Sequence, residues 1–122
     1  MTTDELFFFD THPQAFPLYK ALAEKMAVAF PQAAVKVSKT QITFTQRHGF
    51  AFVSLRRVKG CPPVFIIVSF GLSHRVEHPR IFVAVEPYPN RWTHHVIISR
   101  VEEIDDTLMD WLTQAHDFAL IK

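Results

Sequence analysis

Two runs decide how this chain folds: Gln41-Ile42-Thr43-Phe44-Thr45 and, after a break at His48-Gly49, Phe50-Ala51-Phe52-Val53-Ser54-Leu55-Arg56-Arg57. Both are rich in β-branched and aromatic residues and alternate with a period of two, the signature of half-buried strands. A break this short leaves room only for a hairpin, so the two strands run antiparallel. The same texture extends in both directions, with strands expected at Val35 to Val37, Val64 to Gly71, Arg80 to Glu86 and Trp92 to Ser99. Turn signals at Gly60-Cys61-Pro62-Pro63, His78-Pro79 and Pro87-Tyr88-Pro89-Asn90 separate them. The middle of the chain is therefore expected to form a largely antiparallel meander of five to six strands.

Helical spacing flanks this region. Phe16, Tyr19, Leu22, Ala23, Met26 and Phe30 recur at steps of three and four within Pro13 to Phe30, with Thr11 and Gln14 spaced as a capping box, a start nearer Phe16 as the alternative because Pro17 is uncomfortable deep in a helix, and Pro31 as a stop. Ile104, Leu108, Trp111, Leu112, Ala115 and Phe118 form a second stripe. Acidic residues crowd its first turn, where the helix dipole favours them, and Ser99 or Asp105 would cap it. Phe7 to Phe9 would form a short strand or a staple ahead of the first helix. An N-terminal and a C-terminal helix on one face of an antiparallel sheet is the simplest α+β arrangement.

The 122 residues, 48% hydrophobic with twelve phenylalanines and three glycines, suit a single domain spanning 1–122. The longest apolar run, Pro62 to Val68, is too short to cross a bilayer. The N-terminus lacks the basic flank of a signal peptide, and Cys61 is alone. These features lead us to expect a soluble cytoplasmic protein without a membrane partner.

Net charge is +1, but unevenly spread: Val35 to Arg100 holds ten basic residues against two acidic ones, while Val101 to Ile121 holds six acidic residues and no basic one. Cations among phenylalanines on a sheet could hold phosphates and stack bases. Strand surfaces carry Lys and Arg routinely, however, and a pI of about 8.0 falls short of a dedicated nucleic-acid binder. Weak nucleic-acid binding therefore ranks below capture of a small anion.

Arg91-Trp92-Thr93-His94-His95-Val96 concentrates the most side chains capable of chemistry. In an extended strand Trp92 and His94 share one face while Thr93 and His95 share the other, so the paired histidines diverge and cannot easily ligate one metal. His94, on the more apolar face, is either a hydrogen-bonded core histidine or the wall of a pocket beside Trp92. His74-Arg75-Val76-Glu77-His78 matches the H-x-x-E-H order of one class of zinc peptidases, but that motif works on a helix, and Gly71 and Pro79 bracket this copy. Cys61 lacks a base, and three scattered glycines cannot build a phosphate loop. Neither a metal nor another cofactor is expected.

Taken together, Lys39 to Phe44, Phe50 to Val53, Pro79-Arg80-Ile81, the W-x-H-H-V run and Ile104-Asp105-Asp106-Thr107-Leu108 resemble a bacterial family of unknown function sometimes labelled a predicted transport protein. The likeness covers about Phe16 to Phe118 and implies an α+β domain with no established activity. The positions it marks outside the obvious core are Lys39, Thr40, Arg80, Trp92, His94 and His95. The expectation is a binding or adaptor module, homodimeric, with a sheet-edge pocket for a small anionic ligand at those residues. An enzyme using His94 or His95 as general acid or base, oriented by Glu86 or an acid of the last helix, is the alternative.

Overall fold

The computed structural model describes all 122 residues. Three α-helices, α1 (Thr3–Phe8), α2 (Phe16–Ala29) and α3 (Asp106–Ile121), accompany six strands: β1 (Ala34–Val37), β2 (Ile42–Gln46), β3 (His48–Ser54), β4 (Ile66–Leu72), β5 (Ile81–Tyr88) and β6 (Arg91–Ile98). All strand pairs are antiparallel, in the order β1-β2-β3-β4-β6-β5. This is the α+β architecture expected from the sequence. No helix is long and apolar enough to cross a membrane.

The strand order corrects the expected meander at one connection. β4 and β5 both pair with β6, so Ser73 to Arg80 has to carry the chain from one end of the sheet to the other across β6. The H-x-x-E-H stretch is this irregular strap. The N-terminus also differs from expectation, because Phe7 and Phe8 end a helix and Phe9 caps it. Thr2 and Glu5 supply the reason: Glu5 N–H donates to Thr2 Oγ1 at 3.2 Å and Glu5 Oε1 accepts from Thr2 N–H at 2.9 Å, a capping box that starts α1. The Thr11 and Gln14 box does not form, since Pro13–Ala15 is a 3₁₀ turn and Thr11 bonds His12 instead.

Cross-strand register sorts the two faces. On the helix side, Val35, Phe44, Ala51, Phe70, His94 and Ala84 form one row, and Val37, Ile42, Val53, Val68, Val96 and Ile81 form the next. Three elements cover these rows. Tyr19 of α2 lies 6.4 Å from the Phe44 ring, Trp111 of α3 stacks on Phe70 at 5.6 Å, and Val76 of the strap packs into the same core. Asp105 caps α3 by accepting from Leu108 N–H at 3.0 Å, which contributes about 1 kcal/mol. β4, between β3 and β6, is buried along Ile66 to Phe70 on both faces.

The opposite face carries Lys36, Thr43, Phe52, Ser69, His95 and Val83 in one row. A bulge sets which phenylalanine points there. Phe44 pairs with Ala51 and Thr45 with Gly49, leaving Phe50 as the extra residue, so Phe50 and Ala51 both enter the core while Phe52 turns outward.

Candidate functional site

The six residues marked in the sequence separate into four places. Lys39 and Thr40 are exposed in the β1–β2 turn, at the opposite edge of the sheet from β5 and β6. Lys39 lines a shallow recess with Asp4 and Phe7. Arg80 is engaged within the chain: its guanidinium donates to both Asp105 oxygens at 2.8 and 2.9 Å and to the Glu103 carbonyl at 2.5 Å. It thereby ties the end of the strap to the cap of α3. Trp92 is half-buried, with the Arg75 guanidinium 5.9 Å from its ring centroid.

His94 and His95 diverge as strand geometry requires. His94 is fully buried, stacked on Phe70 with ring centroids 5.1 Å apart, and its Nε2 accepts the Val76 N–H at 2.9 Å. An accepting Nε2 places the ring proton of the neutral imidazole on Nδ1, whose approach to the Phe70 carbonyl falls short of good hydrogen-bond geometry. Burial pushes its pKa below the ordinary value; the Phe70 carbonyl opposes this, while His74, His95 and Arg75 add to it. His94 therefore faces a wall made of Phe70 and the strap.

His95 lies on the open face, half-buried, with Nδ1 2.6 Å from the Ser69 hydroxyl. The register causes this meeting, because Ser69 of β4 is the direct partner of His95 of β6. The Phe82 ring flanks the imidazole at 6.0 Å. Burial lowers the His95 pKa and the nearby Arg56 charge lowers it further. Neither His95 nor Arg56 enters a salt bridge, and His95 Nε2 has no protein partner. A neutral imidazole with a hydroxyl on one nitrogen leaves the other free to meet a ligand, and the exposed Arg56 guanidinium makes no ion pair of its own.

The sequence singles out His95 but not its neighbours Ser69, Arg56, Phe52 and Phe82, whose placement depends on strand order, on the bulge at Phe50 and on a second one at Phe82, where Ile81 pairs with Val96 and Val83 with His95. The basic residues of the middle segment do not share one surface. Arg80 binds Asp105, Arg91 lies over the Phe118 ring at 5.0 Å, and Arg75 lies over Trp92. Glu86 accepts the Asn90 N–H at 3.1 Å within the β5–β6 turn.

Fold and site together define a one-sided α+β module: a sheet backed by helices, with a polar and aromatic patch on its free face. The chain belongs to the family described as Domain of unknown function (DUF5655), whose family model matches residues 6–119. Comparison with curated proteins and with solved structures gives no significant match.

Proposed function

We propose that the protein is a non-enzymatic binding module that takes a small anionic ligand on its open sheet face, at His95, Ser69 and Arg56. The observation that supports this reading is that both groups are unpaired: His95 Nε2 has no protein partner, and no carboxylate pairs with His95 or with the exposed Arg56 whose charge acts on it. An anion there would gain the Arg56 charge and a hydrogen bond from the imidazole, while Phe82 would offer a face for stacking. The Ser69–His95 contact also resembles the start of a hydrolytic pair. The binding reading is stronger because no carboxylate orients the free nitrogen of His95. The lone cysteine accords with a reducing cytoplasm as its setting.

Anion binding should draw a proton onto His95, because a negative neighbour raises the pKa that burial and Arg56 have lowered. Titration calorimetry with inorganic phosphate, adenosine monophosphate and citrate at pH 6.5, in two buffers of different ionisation enthalpy, reads this directly. We expect binding with proton uptake in the wild type, no uptake in His95→Gln, and at least tenfold weaker binding in Arg56→Ala. Absence of heat with all three anions refutes the reading.

A further inference from the structure

A second site lies on the other side of the sheet, at its β1 edge. Between α1, α2 and β1 is a cavity of about 470 Å³, lined mainly by apolar side chains that include Ala23, Met26, Phe30, Val35 and Phe44. That volume is within the range of small-molecule pockets. One charged side chain in its wall is itself buried: Glu5, 5% exposed.

Glu5 is an unusual lining residue because no cation is in contact with its charge. Its carboxylate accepts from Thr2 N–H at 2.9 Å, from the Thr2 hydroxyl at 3.1 Å and from the Tyr19 hydroxyl, all neutral donors. No cation lies within 4.0 Å of it. Burial pushes the Glu5 pKa up, but the bonds from Tyr19 and Thr2, with a lesser contribution from the N-terminal ammonium, outweigh it and hold the group below the usual value, so the carboxylate is ionised at neutral pH. Buried charges are ordinarily paired, since an isolated ion in an apolar wall is costly. The helix cap does not account for the charge, because glutamine closes a capping box as well as glutamate. Three of roughly four acceptor positions on the carboxylate are filled, leaving about one for a further donor. The other charges at the cavity, the Met1 ammonium, Lys20 and Glu24, all belong to exposed residues, so Glu5 is the one buried charge in its wall.

We propose that this cavity binds a small organic cation, an amine on an apolar body, with the Glu5 carboxylate as its counter-ion and the Met26, Phe30 and Phe44 side chains around the body. The site is independent of the His95 face and takes ligands of the opposite charge.

The test compares octylamine, octan-1-ol and octanoate, which share an apolar body and differ only in the head. Binding to the full chain is followed by calorimetry and by backbone amide shifts. Octylamine should bind at least tenfold tighter than octanol, octanoate should bind weakest, and the shifts should centre on Ala23 to Phe30 and Val35. Glu5→Gln, which keeps the cap, should leave the fold unchanged by circular dichroism and reduce the amine-to-alcohol ratio to about one. Equal affinity for amine and alcohol in the wild type would overturn the proposal. So would shifts centred on Ser69 and His95, absence of binding by any of the three, or a preference that survives in a folded Glu5→Gln variant.

Discussion

Acidification should destabilise this protein through His94, in a pH window that separates it from the carboxylates. His94 and His95 both have folded pKa values below the ordinary 6.5. Below pH 6.5 the unfolded chain binds protons that the folded chain refuses, so stability falls as pH falls. The contribution is fully present above 6.5 and is lost as pH drops toward the folded values. Each such proton is worth about 1.4 kcal/mol per pH unit at its limit. If neither ring protonates in the folded state, moving from pH 7.0 to 5.5 costs about 2.5 kcal/mol for the pair and about 1.3 for one ring. Glu5, Glu103 and Asp105, with pKa values lowered from 4.5, 4.5 and 3.8, contribute stability that is lost only at lower pH. The groups facing His94 point the same way: His74 and Arg75 on the strap and His95 on its own strand all disfavour a second positive charge. Protonation would also remove the acceptor of the Val76 N–H and loosen the strap. Urea denaturation of the wild type and His94→Gln at pH 7.0 and 5.5 measures the difference. Glutamine can keep the bond to Val76 without titrating, so its loss on acidification should be smaller than that of the wild type, by up to about 1.3 kcal/mol. An equal loss in both proteins would show that His94 is not the coupled group.

Two further outcomes follow from packing and pairing. Phe50→Ala should cost about 3–5 kcal/mol and Phe52→Ala less than about 1.5, because the bulge buries only the first; similar values for the two in chemical denaturation would refute the assigned bulge. Arg80→Ala and Asp105→Ala should each destabilise by about 1–2 kcal/mol, with a double-mutant coupling of about 0.5–1 given that both side chains are partly solvated, and strict additivity would mean the bidentate contact contributes nothing.

Local periodicity made the two long helices, the strand segments and the opposite facing of His94 and His95 legible in the sequence, since each depends on spacing within one element. What strand order controls was hidden. Lys39 and Arg80 were grouped as cations of one pocket, yet the sheet order separates them, and Arg80 is consumed by an aspartate twenty-five residues further on. Alternation assigns Phe50 and Phe52 to one face, and a single unpaired residue divides them. Helix α1 was readable, because Thr2-x-x-Glu5 is a capping box, but Phe7 to Phe9 drew attention to strand propensity instead. The Ser69–His95 contact joins residues twenty-six apart through register alone.

The crossover imposes an order of assembly. During synthesis β1 to β4 can pair as they emerge, but β4 keeps a naked edge along Ile66 to Phe70 until its neighbour β6 appears, after β5 has already been made. β5 finds its partner only in β6, so neither strand can join the sheet before β6 is made, and only then can the strap close over His94. In that interval the nascent chain presents an apolar template to any other strand in reach. Pro62 and Pro63, just ahead of the run, and Arg75, just beyond it, stand where gatekeepers against premature pairing would be needed.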